Sequence, residues 1–374
     1  MKMNSDIYLS NELRALFSAI RQAEWNKEVS ELFERSDKDK LVSLAEKHRI
    51  SPLIFNYLNH HPWDIKSTIQ SELKSLAKEH LFKTLRLQSE LLKICESFSQ
   101  NKIEYIVLKG PQLSHLLYKD ATTRVCVDLD IFLKKKANIK SASEILLKLG
   151  YNLSNFPKDN RIIRRKMFGI GKHETAFFNR QTKTYVDLHL RPIGNTLFSA
   201  RFHRIFFSDV QAYELNGIRL SIPSMENYFL FLCYHGSVHQ YASLHWLADV
   251  YTFLKKFPVP LDQLERLASK LRLKKHFMLT LMLINSLFGY PLPETYLNTP
   301  GRKRTIIRLY NTCIISISRE QRLRYTLKER WQKTMYRFIL AEGLFGKVDT
   351  LITILFRYLY RVVNTHGMKM VRKD

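Results

Sequence analysis

Hydrophobic and polar positions divide this chain into a helical part, a mixed part and a second helical part. Over residues 1–100, apolar side chains recur every three or four positions, which is typical of the buried face of a helix. Asp37 is placed to cap a helix that ends at His48. The longest apolar stripe consists of Ile69, Leu73, Leu76, His80, Leu87, Leu91 and Cys95. We therefore predict an N-terminal helical region and expect it to form a wall or lid for the part that follows.

Residues 101–223 combine short apolar runs, typical of buried strands, with two helical stretches. The predicted strands are Ile103–Leu108, Val125–Leu133, Thr175–Asn179 and Thr184–Leu190. The predicted helices are Pro111–Tyr118 and Ala137–Leu149. Further along, Asn216-Gly217 separates two apolar runs, and this dipeptide favours the type I′ turn of a β-hairpin. The middle of the chain is therefore predicted to contain a small mixed sheet with flanking helices.

From residue 224 onward the pattern is helical again. Its most apolar segment, Phe277–Phe288, is too short to span a bilayer and contains Asn285 and Ser286, so we interpret it as a buried helix. The whole pattern predicts an α+β fold. Residues 101–223 form its core, and helical regions over residues 1–100 and 224–374 enclose that core.

Charge is the unusual property of the composition. The chain has 374 residues, with 60 Lys and Arg against 34 Asp and Glu, a formal net charge of +26. Such a balance attracts phosphate-bearing partners, whether nucleotides, nucleic acid or anionic lipid. The excess is steepest over residues 301–374, where basic side chains lie among aromatic ones. This region has three interpretations: a solvated face over a helical core, a nucleic-acid surface, or a helix lying on an anionic membrane.

The cysteines and the first residues narrow the class of protein. The four cysteines lie far apart in apolar surroundings, and no pair has the spacing of a metal site or a redox motif. They are Cys95, Cys126, Cys233 and Cys313. The first residues contain no apolar signal segment. These features argue against a disulfide-rich secreted domain and predict a cytoplasmic protein, with peripheral attachment to a membrane left open.

Candidate chemistry is concentrated in residues 105–133. Asp128 and Asp130 interrupt an otherwise apolar predicted strand, and residues two apart on a strand project from the same face. Two partly buried like charges repel unless a cation lies between them, and Mg²⁺ binds through a few carboxylates together with phosphate oxygens. The preceding Lys109-Gly110 turn supports a nucleotide site. The alternative is a strand end whose aspartates face the solvent.

The same motifs resemble the core of the DNA polymerase β-like nucleotidyltransferase superfamily, and more narrowly its uncharacterised nucleotidyltransferase family. The matching residues are Leu108-Lys109-Gly110, Arg124 and Asp128-Leu129-Asp130. The resemblance implies a nucleotidyltransferase sheet that moves a nucleoside monophosphate from a nucleoside triphosphate to a hydroxyl group, with Mg²⁺ held by the aspartates. It does not identify the acceptor, for which a sugar, a peptide, a protein and an RNA end all stay open. Where the superfamily has Gly-Ser or Gly-Gly, this chain has Gly110-Pro111, which leaves one fewer N–H group for phosphate.

The resemblance also implies a third carboxylate, on a later strand, that binds the catalytic metal. Asp187 matches it by order and context, and His189 projects from the same face of the predicted strand. His189 is interpreted as a donor to the site, a contact of the acceptor or a polar neighbour. Lys109 and Arg124 are candidate phosphate-binding or structural cations, and Lys109 has the further alternative of pairing with a carboxylate. Gly110 is placed to let the backbone approach the phosphates.

Other histidine-containing segments carry weaker signals. His235 and His239 share one helical face, but without the glutamate of a metalloprotease helix a zinc site is a weak interpretation. A longer set resembles a later signature of the family, which we expect to pack a helical domain against the nucleotide pocket. This set is His235, His239, Leu244, Trp246, Leu247 and Asp249. His173 and Glu174 precede a predicted strand and are minor candidates for catalysis.

The sequence supports two alternative functions. One is a toxin-like nucleotidyltransferase that modifies tRNA, which the basic surface suits. The other is a non-catalytic protein on a degenerate nucleotidyltransferase fold that binds nucleic acid or membrane through its basic C-terminal region. The expected partners are a nucleoside triphosphate, an unknown acceptor and, for the basic region, nucleic acid or an anionic membrane surface.

Overall fold

The structure is a computed structural model that describes residues 9–61, 67–153, 174–190, 199–297, 303–320, 326–344, 346–348 and 350–352. The described helices of its N-terminal part are α1 (Asn11–Arg21), α2 (Lys27–Glu34), α3 (Lys38–Lys47), α4 (Ser51–Asn59) and the long α5 (Ser67–Gln100). Side chains cap the first three, since Ser10, Asn26 and Asp37 accept hydrogen bonds from backbone N–H groups in the first turn. The predicted helical N-terminal part and the predicted cap at Asp37 are confirmed.

A five-stranded mixed sheet forms the middle of the described chain. Its strands are β1 (Tyr105–Lys109), β2 (Leu129–Leu133), β3 (Tyr151–Leu153), β4 (Glu174–Asn179) and β5 (Thr184–His189). They lie in the order β1-β2-β5-β4-β3, in which β2 and β5 are parallel and the other neighbours are antiparallel. Helix α6 (Pro111–Tyr118) follows β1 with the predicted bounds, and α7 (Ile139–Lys148) follows β2 after a single 3₁₀ turn. The predicted α+β fold with a small mixed sheet is confirmed.

One predicted strand begins later than its apolar residues indicate. The strand predicted over Val125–Leu133 starts only at Leu129, where its pairing with β5 begins, and the residues before it pair with no described strand. Val125 and Cys126 are nevertheless buried. Their apolar character reflects burial of an irregular segment, and it misleads a prediction that equates an apolar run with a strand.

A two-stranded hairpin, β6 (Val210–Leu215) and β7 (Ile218–Pro223), follows helix α8 (Ser199–Ser208). Its turn residues Asn216 and Gly217 have positive φ angles of 52° and 77°, as a type I′ turn requires. The hairpin predicted from these two residues is confirmed.

The C-terminal part is helical, as predicted. Its described helices are α9 (Met225–Val238), α10 (His245–Lys256), α11 (Leu261–Lys270), α12 (Lys274–Phe288), α13 (Glu294–Leu297), α14 (Lys303–Ser318) and α15 (Leu327–Leu340). The apolar segment Phe277–Phe288 lies within α12 and is largely buried, as interpreted. In the part of the chain that the structure describes, no helix has the length and apolar content to cross a bilayer. Residues 158–172, in which Lys and Arg are frequent, lie outside the described residues, as do His173 and the end of the chain from residue 353.

The two faces of the five-stranded sheet belong to different cores. One face shares a core with α5 and α7, and its buried residues include Leu129, Ile131, Val186 and Leu188. The other face carries Phe132, which joins a larger core built by helices of both the N-terminal and the C-terminal parts. Since Asp130 and Phe132 alternate with Ile131 along β2, Asp130 lies on the face that meets this larger helical core.

Candidate functional site

The sheet places two of the predicted aspartates next to each other. Asp130 of β2 and Asp187 of β5 are directly opposite in the parallel register, so both side chains project from the same face of the sheet. Asp128 lies just before β2, and its charge interacts with that of Asp130. The three aspartates are therefore brought into one region from two separate segments of the chain.

Two side chains hold the Asp130 carboxylate. Lys109 Nζ lies 3.0 Å from Asp130 Oδ2, and His189 Nε2 lies 2.7 Å from Asp130 Oδ1. Burial opposes ionisation of Asp130, but Lys109 and His189 outweigh it and lower the pKa of this carboxyl well below its usual range. Because an ionised carboxylate can only accept, the His189 ring donates through Nε2. Of the interpretations given for His189, the donor to the site fits this geometry.

Asp128 has the opposite electrostatic environment. Burial raises the pKa of its carboxyl and repulsion from Asp130 raises it further, against the attraction of Lys109 and Arg49. The pKa values of two neighbouring carboxylates are thus pushed apart. A divalent cation bound between them would favour the ionised form of both.

The donor set fits Mg²⁺ chemically, although it is not a preassembled cage. Among the described residues, no group of three or more His, Cys, Asp and Glu side chains is arranged to hold a metal ion. Mg²⁺ is commonly bound through one or two carboxylates and takes its other ligands from water and substrate phosphates. Asp128, Asp130 and Asp187 suit that mode.

For the zinc interpretation of His235 and His239, the described part of the chain offers no third ligand.

Lys109 links the sheet to the C-terminal helices. Besides its ion pair with Asp130, its Nζ lies 3.4 Å from His235 Nε2 on α9. Burial and then the charge of Lys109 lower the pKa of His235 well below its usual value, so this imidazole is neutral and accepts from Lys109. The alternative in which Lys109 pairs with a carboxylate is the arrangement observed. His235, from the later motif, therefore contacts the site through Lys109.

Arg124 belongs to a separate, buried ion pair. Its Nε lies 3.0 and 2.9 Å from the two carboxylate oxygens of Asp249 on α10, and Arg124 is only 7% exposed. Burial opposes the charge of Arg124, but Asp249 outweighs burial and raises the pKa of the guanidinium. The pair joins the segment before β2 to the C-terminal helices. Of the two roles predicted for Arg124, this geometry favours the structural cation.

The turn after β1 requires glycine. Gly110 has a φ angle of 135°, which other residues rarely adopt, and a Cβ there would lie 3.0 Å from Gln112 Oε1. Gln112 is itself held in place, because its Nε2 donates to Tyr228 Oη at 3.3 Å. Pro111 then begins α6. The predicted succession of strand, glycine turn and helix is therefore present beside the aspartates.

Arg49 is a cation near the aspartates, and the patterns in the sequence do not single it out. It joins α3 to α4 with a left-handed φ angle of 58°, and its charge attracts that of Asp128. The preceding His48 fixes this junction. Its backbone oxygen accepts from Ser243 Oγ at 2.9 Å, and its ring Nδ1 accepts from the Leu244 N–H at 3.3 Å. These partners are 195 and 196 positions away in the chain, so local patterns carry no signal for the contact.

Two aromatic residues that the sequence patterns did not single out lie on the same face of the sheet as Asp130 and Asp187, which we call the carboxylate face. Tyr185 of β5 lies opposite Phe178 of β4, with ring centroids 4.4 Å apart. Tyr185 precedes Asp187 by two residues, so alternation along the predicted strand is a sufficient signal to place both on one face. The minor candidate Glu174 begins β4 opposite His189, and His173 lies outside the described residues.

Comparison with known protein families gives a match over most of the chain. A family model described as an uncharacterised nucleotidyltransferase matches residues 34–289. That span begins in α2, contains the three aspartates, the Gly110 turn and the Arg124–Asp249 pair, and ends just after α12. Curated proteins give no match.

Proposed function

Because the chain belongs to the uncharacterised nucleotidyltransferase family, we propose that it transfers a nucleoside monophosphate from a nucleoside triphosphate to a hydroxyl group of an acceptor. The observation that carries this proposal is the parallel register that sets Asp130 beside Asp187, with Asp128 just before it. Carboxylates on adjacent strands, next to a glycine turn that begins a helix, suit a Mg²⁺ ion that arrives with a triphosphate.

The aspartates and the turn have separate roles in this proposal. Asp128, Asp130 and Asp187 would hold Mg²⁺, and the bound ion would lower the pKa of an acceptor hydroxyl and neutralise charge on the triphosphate. Gly110 lets the phosphates approach the backbone at the start of α6, where the helix dipole favours an anion. Asp130 is already ionised because of Lys109 and His189, so metal binding displaces no proton from it.

Arg49 is our candidate for binding the triphosphate. It comes from the N-terminal helices to the neighbourhood of Asp128, and it is half-buried. The planar guanidinium suits phosphate oxygens, because two of its N–H groups can donate in parallel. Arg124, the other arginine named for this role, is committed to Asp249.

Transfer of label tests the proposal. The protein is incubated with each nucleoside triphosphate, labelled at the α-phosphate, together with Mg²⁺ and a cell extract, and labelled acceptors are then separated. We expect the wild-type protein to label an acceptor, and we expect Asp130→Asn and Asp187→Asn to lose about 100-fold or more of that activity. The matched control is Asp262→Asn on α11, where the side chain is 64% exposed. Transfer that survives Asp130→Asn, or that needs no divalent metal, would contradict the proposal.

One observation favours a non-catalytic function instead: the formal net charge of +26 attracts polyanions whether or not the aspartates hold a metal. In that case the fold binds nucleic acid or membrane through its basic surface. RNA binding that falls steeply with salt and is unchanged in Asp130→Asn, without any transfer of label, would support this alternative. A toxin-like enzyme would be recognised by label on the 3′ end of tRNA.

A further inference from the structure

An aromatic pair extends the carboxylate face of the sheet toward its β3 edge. Tyr185 and Phe178 lie opposite each other on β5 and β4, with ring centroids 4.4 Å apart and 31° between the ring planes. Asn152 of β3 lies opposite Phe178. We call Tyr185 and Phe178 the aromatic platform. Tyr185 is 46% exposed and Phe178 is half-buried.

The platform adjoins the aspartates. Tyr185 is two residues before Asp187 on the same strand, so both side chains project from one face. The parallel register pairs Leu129 with Val186 and Asp130 with Asp187, so the pairing begins one residue after Tyr185, and Asp128 directly precedes β2. On the other side of Asp187 lies Ala176, which presents only a methyl group. A ligand that covers the platform is therefore brought directly to the carboxylates.

Packing of the core does not account for the platform. Val186, which alternates with Tyr185, is fully buried on the opposite face in the core that α5 covers. Tyr185 instead keeps nearly half of its surface exposed. An exposed pair of aromatic rings suits a flat ring of a ligand, and each nucleobase that stacks on an aromatic side chain contributes about 1–3 kcal/mol to binding.

We propose that the aromatic platform binds the acceptor, and that this acceptor is the single-stranded end of a nucleic acid. Its terminal base stacks on Tyr185, whose ring in turn packs against Phe178, and its terminal hydroxyl reaches the aspartates. The formal net charge of +26 supports a polyanionic acceptor. The transfer to this acceptor rests on the proposed function, whereas the binding of the nucleic acid does not.

The reaction at that hydroxyl is the same nucleotidyl transfer. The acceptor oxygen forms a bond to the α-phosphorus of the nucleoside triphosphate. The bond from this phosphorus to the oxygen that bridges the β-phosphate breaks, and pyrophosphate leaves with the electron pair. The hydroxyl proton is released to water, and the nucleic acid becomes one nucleotide longer.

Fluorescence anisotropy of a short, labelled, single-stranded RNA tests the binding without nucleoside triphosphate or divalent metal. We expect Tyr185→Leu and Phe178→Leu each to weaken the affinity for RNA about 5- to 100-fold, because the first removes the stacking ring and the second removes the ring that supports it. Tyr185→Phe keeps the ring and should keep the affinity. The matched control is Phe82→Leu, since Phe82 is 56% exposed on α5, the helix that covers the opposite face of the sheet.

Unchanged affinity in both platform variants overturns the proposal, and so does an equal loss in Phe82→Leu. The absence of RNA binding by the wild-type protein would also overturn the proposal. The acceptor would then be sought among sugars and peptides. Melting curves establish that each variant is folded. A wild-type protein that binds RNA through Tyr185 and Phe178 but transfers no label contradicts the proposed reaction alone, so a failure of the platform and a failure of the proposed reaction are distinguished.

Discussion

Two groups of charged side chains lie at the two ends of one short segment, residues 124–130; the first is buried, and in the second only Asp130 is fully buried. The paired cluster is the ion pair of Arg124 and Asp249. The carboxylate cluster consists of Asp128, Asp130, Asp187, Lys109 and His189. In the first, one guanidinium meets one carboxylate in a closed pair; in the second, three carboxylates are gathered on one side of the sheet. The difference teaches that a closed, buried ion pair acts as a structural link, whereas like charges gathered together favour the addition of a cation.

Breaking the paired cluster should have the largest effect on stability. Arg124→Met leaves Asp249 buried without its partner, and the loss of one member of a buried ion pair costs about 3–5 kcal/mol in the free energy of unfolding. Urea unfolding measures this loss. The double variant Arg124→Met/Asp249→Leu should recover most of it, because no unpaired charge is left. If Arg124→Met were as stable as the wild-type protein, the pair would not be the structural link that we describe.

Removing Lys109 tests whether the carboxylate cluster accepts a cation. Lys109→Met deletes the positive charge beside Asp130 and should lower the free energy of unfolding by about 1–3 kcal/mol. Added Mg²⁺ should then raise the melting temperature of this variant more than that of the wild-type protein, because the metal replaces the missing charge. Arg124→Met is the control and should gain nothing beyond the wild-type response. If Mg²⁺ raised the melting temperatures of Lys109→Met and Arg124→Met equally, the two clusters would not differ in their affinity for a cation.

Replacing Arg49 tests whether this residue of the N-terminal helices helps to bind the triphosphate beside the carboxylate cluster. Arg49→Ala should weaken nucleoside triphosphate binding about tenfold, which corresponds to the loss of one charge-assisted contact with phosphate. Titration calorimetry with a non-hydrolysable nucleotide and Mg²⁺ measures the change. Arg272→Ala is a matched control, because Arg272 has a left-handed φ angle of 57°, close to the 58° of Arg49. If both variants lost nucleotide affinity to a similar extent, the cause would be a change in backbone strain and not a lost contact with phosphate.

Local structure beside the carboxylate cluster is predictable where it depends on neighbours in the chain. The helix after Gly110 has the predicted bounds, and the alternation of Asp187 and His189 with apolar residues correctly indicates a strand. The Asn216-Gly217 hairpin depends only on two residues that tolerate positive φ. In each case the preferred backbone conformation of a few residues agrees with the final fold.

The partners within each cluster are not predictable in the same way. Arg124 and Asp249 are 125 positions apart, and nothing local distinguishes a buried structural arginine from a phosphate ligand. Similarly, the approach of Arg49 to Asp128 depends on how the N-terminal helices pack against the turn before α10. Such contacts follow from tertiary packing, so the sequence leaves their alternatives open.

The smallest expected effect comes from the difference between Asp128 and Asp130. These residues lie two positions apart, and their pKa values are shifted in opposite directions. Burial and Asp130 raise the folded pKa of Asp128 above its unfolded value of about 3.9, so its ionisation destabilises the folded state as the pH rises through that folded pKa. Asp128→Asn should therefore gain about 1 kcal/mol of stability at neutral pH, and the gain should vanish as the pH falls toward 4. The folded pKa of Asp130 is lowered instead, so its ionised form stabilises the protein above its unfolded pKa, and Asp130→Asn should lose stability at neutral pH. Urea unfolding without divalent metal at the two pH values measures both variants. Changes of the same sign would show that the two aspartates share one environment, and the carboxylate cluster would then lack the repulsion on which its affinity for a cation depends.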